Sequence, residues 1–187
     1  MILALDISTS ITGFCVFHKS GEQIHAGYID LRKEKAFFKK VDLVKAKIIE
    51  LNNTYEFEEV AIEEPLQSFA RGLSSAKTLF TLAKFNGIIQ YIVYTLELVP
   101  TVINVNNARK LVGIKINKKD KTKNTKEQVL EQVQKLTSGT NRIMWKTKVL
   151  KSGPRKGLEI FDPCCYDMAD AFVIGRAHFI EKKSIAK

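Results

Sequence analysis

Four carboxylates in this chain stand where folding alone gives them little reason to be. Asp6 follows Ile2-Leu3-Ala4-Leu5 and precedes Ile7, an apolar run that reads as a strand buried on both faces. An ionised acid there is costly unless it is paired or holds a cation. Glu63 ends a second apolar run, Val60-Ala61-Ile62, and the adjacent Glu64 points to the opposite face. Asp167 and Asp170 are three apart in a helical pattern, so they share a face and repel each other. Asp170 also lies beyond the first turn that a helix dipole would favour, between Ala169 and Ala171. Plainer uses stay open: Asp6 as a turn cap, Glu63 as an exposed strand end, and the aspartates as a solvated helix face. Carboxylates from two strand ends and one helix, with no His or Cys cluster beside them, suit a hard cation such as Mg²⁺. Two such ions about 3.5–4 Å apart activate water and stabilise a leaving oxygen in phosphodiester hydrolysis.

The charge distribution points the same way. The 187 residues carry 30 Lys and Arg against 20 Asp and Glu, a net of +10. From Arg109 to Lys156 there are fifteen basic and three acidic residues, a net of +12, which leaves the rest of the chain at −2. A lysine-rich solvated surface is the plain explanation, but segregation this strong favours a face for a polyanion. Lys110, Lys115, Lys118, Lys119, Lys121, Lys123, Lys146, Lys148 and Lys151, with Arg109, are the candidate DNA contacts.

Other classes fall away. With 45% hydrophobic and 27% charged residues, the composition is that of a folded domain. The opening Met1 to Ser8 has no basic region and holds an acid, which argues against a signal peptide. Phe85 to Pro100 is too short and too interrupted to span a membrane. Cys15, Cys164 and Cys165 form neither a disulfide framework nor a zinc spacing, and the cytoplasm is the expected compartment.

The elements that must position the acids follow from periodicity. Strands are expected over residues 2–8, 14–18 and 23–30 as an antiparallel meander, with a turn from Ser8 to Gly13. A helix follows from Glu34 to Leu51, then a strand over 58–62, a loop over 66–73, a helix from Ser75 to Leu96 and a strand from Pro100 to Val105. Leu79, Leu82, Phe85, Ile89, Ile92 and Val93 do not fit one stripe of the 75–96 helix. That predicts burial on two sides, with one side a homodimer interface. Thr125-Lys126-Glu127-Gln128 is a capping-box pattern opening a helix to Leu136. Residues 138–160 predict a basic β-hairpin with its tip at Ser152 to Gly157. Asp162-Pro163 then caps a last helix, Cys164 to Lys182. The whole is an α/β chain, a mixed sheet with helices on its faces.

With these motifs in order, the sequence resembles the RuvC family of Holliday junction resolvases, within the RNase H-like superfamily. Asp6-Ile7-Ser8-Thr9-Ser10-Ile11-Thr12-Gly13-Phe14 is similar to the family's opening strand, although Ile7-Ser8 replaces Pro-Gly. Ala61-Ile62-Glu63-Glu64 is similar to its Ala-Ile-Glu motif, and Asp167-Met168-Ala169-Asp170-Ala171 to its C-terminal Asp-x-Ala-Asp-Ala. The resemblance implies a single nuclease domain over 1–187, with an RNase H-like mixed β-sheet flanked by α-helices on both faces. It implies that Asp6, Glu63, Asp167 and Asp170 bind two Mg²⁺ ions, with Mn²⁺ able to substitute, and that no nucleotide cofactor is used. The implied enzyme is a homodimer that nicks opposing strands of four-way DNA junctions symmetrically. Lys126 matches a family lysine near the scissile phosphate, Arg109 or Lys110 a second basic position, and Leu66 or Phe69 a residue wedged into the junction. Residues 138–160 are a basic insertion without a family counterpart. The lysine-rich compact form suits a phage or Gram-positive variant, acting in the host cytoplasm if phage-encoded.

Three rivals follow from the same residues. A non-catalytic nucleic-acid-binding module would keep the acids for structure, and an RNase H-like nuclease would act on flaps or RNA–DNA hybrids. An actin-like kinase also opens with a strand ending in Asp, but 187 residues cannot build its two lobes.

Overall fold

The computed structural model describes residues 1–65, 76–120, 122–139, 142–154 and 156–185. Strands β1 (Ile2–Asp6), β2 (Ile11–Phe17) and β3 (Gln23–Asp30) form the expected antiparallel meander. After helix α1 (Phe37–Tyr55), strand β4 (Glu59–Glu63) returns parallel to β1. Helix α2 (Ala76–Thr95) leads to β5 (Pro100–Ile103), parallel to β4, and the sheet order is β3-β2-β1-β4-β5. Helices α3 (Val105–Val112) and α4 (Thr125–Leu136) follow, then the hairpin β6 (Thr147–Val149) and β7 (Glu159–Phe161), and α5 (Cys164–Ile185).

The sheet has a core on each face, because its central strands alternate apolar side chains to both sides. Leu3, Leu5, Val60 and Ile62 pack with Val44, Ile48, Phe85 and Ile89 of α1 and α2. Ile2, Ala4, Cys15, Phe17 and Ala61 pack with α3, α4 and above all α5. Each of the larger buried side chains contributes roughly 1.5–3 kcal/mol. This is the RNase H-like mixed sheet with helices on both faces that the sequence predicts.

Several expectations are corrected. β1 stops at Asp6 and β2 starts at Ile11, because the Ser8 hydroxyl accepts hydrogen bonds from the Ser10 and Ile11 amides and tightens the turn. β5 ends at Ile103, since Asn104 caps a helix absent from the sequence reading, α3. The α4 capping box is built on Asn124, one residue earlier than read, and is closed by Glu127. Phe85, Ile89, Ile92 and Val93 of α2 are all buried within this chain, so they form no exposed stripe. The exposed large apolar side chains of that helix are instead Phe80, Tyr91 and Tyr94. The 138–160 hairpin is present but pairs only three residues on each side. Ile143 is buried in the core and Trp145 packs against it.

Candidate active site

Period-2 alternation aims the first two acids. Asp6 continues the face of Ile2 and Ala4, and Glu63 that of Ala61, so both carboxyls point toward α5. The register pairs Leu5 with Ile62, which makes Asp6 and Glu63 neighbours at the same end of adjacent parallel strands. Asp6 takes no part in the turn that follows, whose amides Ser8 satisfies, and its side chain bonds that of Glu63.

Helix α5 brings the other two. Asp162 caps it, accepting from the Cys164 amide at 3.2 Å, and the helix runs past the ends of β1 and β2. Opposite Asp6 in the register lies Gly13, where an added Cβ would overlap the backbone carbonyl of Asp167. A glycine in β2 is therefore what lets Asp167 reach the acids. Gly175 allows the same close approach further along, against Phe17 and Ala4.

Two cations close the group. Lys126, in the first turn of α4, donates to Asp167 at 3.1 Å. Arg109, on α3, donates to Asp170 at 3.0 Å with side chains only 16% and 6% exposed, and its buried Nε has no partner. A lysine at a helix N-terminus opposes the dipole, and the acids account for its presence. Burial, then the charges of Glu63, Asp170 and Asp167, push the Asp6 carboxyl well above its ordinary range. Burial and Asp170 raise Glu63 to about 7, against the pull of Asp6, Arg109 and Lys126. Burial also raises Asp167, partly offset by Lys126. Although burial disfavours the Lys126 charge, Asp167, Asp6 and Asp170 hold its ammonium above the usual range.

When all four carboxyls are ionised, Lys126 and Arg109, with Arg32 further off, leave the group short of positive charge, and its donors are oxygens. That donor set fits a hard divalent cation. In the arrangement held by Lys126 and Arg109, no three or more His, Cys, Asp or Glu side chains among the described residues converge as a metal-binding group.

The candidate DNA contacts are distributed unevenly. Arg109 lies inside the acid group, whereas Lys110, Lys115, Lys118, Lys119 and Lys151 are exposed. Lys123 pairs with Glu131 at 2.6 Å, Lys148 with Asp162 at 3.6 Å, and Lys146 donates to the Tyr28 hydroxyl at 2.9 Å. Lys121 and the wedge candidates Leu66 and Phe69 lie outside the described residues. Sequence reasoning missed Arg32, which grips Asp30 with two hydrogen bonds and is near enough to favour the charged forms of Asp167 and Asp162. Nothing in the local sequence marks it.

No family model matches the sequence, and no curated protein does either. Among solved structures, the chain is similar to RuvC of T. thermophilus in complex with a Holliday junction substrate. That match has 15% identity and a TM-score of 0.65, covering 98% of this chain and 94% of that one. It is similar to the yeast mitochondrial Holliday junction resolvase Ydc2, at 11% identity and a TM-score of 0.56, covering 99% and 80% of the two chains. The Fowlpox virus resolvase bound to Holliday junction DNA matches at 16% identity with a TM-score of 0.52, covering 100% and 99%. These neighbours are RuvC and other Holliday junction resolvases, and the resemblance read from the sequence is met at the level of fold.

Proposed function

We propose that the chain is a divalent-metal-dependent endodeoxyribonuclease that resolves four-way DNA junctions by paired symmetric nicks. It works as a homodimer of single nuclease domains, in the cytoplasm. The observation that carries this reading is the gathering of Asp6, Glu63, Asp167 and Asp170 at one end of the sheet, where among the described residues Lys126 and Arg109 are their ion-pair partners. Those four residues would hold the metal, and Mg²⁺ bound there supplies an activated water and stabilisation of the leaving oxygen. Burial and the neighbouring acids raise both Asp6 and Glu63, and both must be ionised to act as paired ligands. Lys126, half-exposed at the rim, offers its ammonium to a phosphate entering beside Asp167. The exposed Lys110, Lys115, Lys118 and Lys119 of the α3–α4 segment would neutralise the flanking DNA backbone.

The homodimer rests on α2. Phe80, Tyr91 and Tyr94 are exposed on one side of it, and Gly87 sits between them with open space where a Cβ would be. A mid-helix glycine costs about 1 kcal/mol against alanine, and no contact within this chain requires it. A second α2 packing closely across Gly87 does. Two-fold symmetry would then place two acid groups for two nicks.

One observation favours a second reading. Lys126 and Arg109 already neutralise Asp167 and Asp170, as in a binding module whose acids are structural. Incubating the protein with a four-way junction, a fork, a flap, an RNA–DNA hybrid and a linear duplex, with and without Mg²⁺, separates these. Paired symmetric nicks in the junction are expected. Cleavage confined to flaps or hybrids would reassign the substrate, and tight binding without any cleavage would leave the module.

A further inference from the structure

The strand ends that carry the acids also meet, on the opposite face of the sheet, the first turn of α1 and the middle of α2. Phe38 is 65% exposed there, an unusual place for a phenylalanine, and its ring has neighbours on the protein side. It stands edge-on to Phe37 at 5.3 Å and 89°, and Phe37 stands edge-on to the core residue Phe85 at 5.6 Å and 79°. The Lys84 ammonium lies 5.1 Å from the Phe37 ring centre and 5.8 Å from that of Phe38. An outward aromatic face backed by a cation is the arrangement on which unpaired bases stack.

The surrounding charge selects the partner. Between Arg32 and Lys47 the chain has seven basic and two acidic residues, and no acid at all occurs from Leu66 to Thr95. Arg32, Lys33, Lys35, Lys39 and Lys84 are all exposed. Both elements are fastened to the strand ends that carry the acids. Lys40 donates to the Thr9 carbonyl in the β1–β2 turn, and Asn86 donates to the Glu63 carbonyl at 3.1 Å. The platform therefore lies by the strand ends that carry the acids, on the sheet face opposite α5.

We infer that Phe38 is a stacking platform for an unpaired base of a nucleic-acid strand that leaves the acid group across α1, with Lys84 and the Arg32–Lys39 cluster holding its phosphates. The inference deepens the nuclease reading by naming the conformation of the substrate strand. It concerns binding, so it is tested without metal. The probes are a four-way junction, a duplex with an oligothymidine tail and a fully paired linear duplex, titrated in the presence of a chelator. Phe38→Ala is expected to weaken the junction and the tailed duplex roughly 10-fold, the scale of one lost base stack. The paired duplex should change by less than about twofold, because it offers no free base. Phe38→Tyr should retain binding, and Lys84→Gln should weaken it more at low salt than at high salt. Equal losses on all three DNAs, or no loss on any, would overturn the platform. So would sedimentation showing that Phe38→Ala breaks a dimer, since the face would then belong to a second copy. Phe38-dependent binding by a protein that cleaves nothing with Mg²⁺ would leave this inference standing and remove the catalytic reading instead.

Discussion

The acid group and the basic hairpin are built by opposite means. Asp6, Glu63, Asp167 and Asp170 sit on two central strands and a 22-residue helix, amid side chains almost wholly buried. The β6–β7 hairpin pairs three residues per strand and exposes Val149 and Leu158. Two strands alone are marginal in water, and this pair is fastened by Lys146 to Tyr28 and by Lys148 to Asp162. The difference teaches where precision is needed. Chemistry requires atoms fixed by packing, whereas phosphate binding requires charge within reach, which a lightly held arm supplies.

Replacing single acids is the hardest test of that contrast. Asp6→Asn, Glu63→Gln, Asp167→Asn and Asp170→Asn should each lower single-turnover cleavage of a four-way junction about 10³-fold or more, since several kcal/mol of transition-state stabilisation go with the metal. Junction affinity without metal should hold or rise. Two variants with near-normal rates would dissolve the contrast.

Gly13→Ala probes the packing directly. The added methyl meets the Asp167 backbone, which cannot swing aside as a flexible side chain can. Unfolding experiments should show a loss of about 1–3 kcal/mol, with cleavage falling further than stability predicts. A neutral outcome would mean that α5 has slack.

Stability against pH comes next. Glu63 is raised to about 7 and Asp6 is raised too, so the folded, metal-free protein holds protons that the unfolded chain has already released. Its stability must then fall as pH rises from the ordinary carboxylate range through about 7. A melting series should lose on the order of 5 °C across that window, and Glu63→Gln should flatten the trend. A melting temperature that climbs through the window would contradict the raised carboxyls of Asp6 and Glu63.

The smallest effect belongs to the lysines. Each lost phosphate contact lowers the salt slope of duplex binding by roughly 0.9. Lys118→Gln and Lys119→Gln, at exposed positions with no ion pair among the described residues, should lower it more than Lys123→Gln or Lys148→Gln, whose ammonium groups already face carboxylates. Equal slopes would show that the ion pairs do not compete with DNA.

The four acids were legible because each interrupts an apolar pattern, and interruption is a local signal. The Asp162 cap and the 138–160 hairpin were legible for the same reason: proline, glycine and alternation act over a few residues. Helix α3 was missed although Asn104 and Gly113 mark its ends, because it is eight residues long and buries only Ala108. The partner of Arg109 lies 61 residues further on, beyond any local pattern. Mixed apolar positions on α2 correctly suggested two environments but not which residues occupy them. Deciding that Phe85 is inside and Phe80 outside needs the position of α1.

The close contact at Gly13 also bears on how such a chain changes over generations. In either core, near-isosteric swaps such as leucine for methionine usually cost under about 1.5 kcal/mol once neighbours adjust, so many interior letters are exchangeable. At Gly13 no neighbour can adjust, because what lies opposite is main chain. Drift is therefore free over much of the interior and arrested at a handful of sites, chosen by the absence of an atom rather than by its identity. Ancestry in such a lineage is written in a few small residues and acids, and is blank nearly everywhere between them.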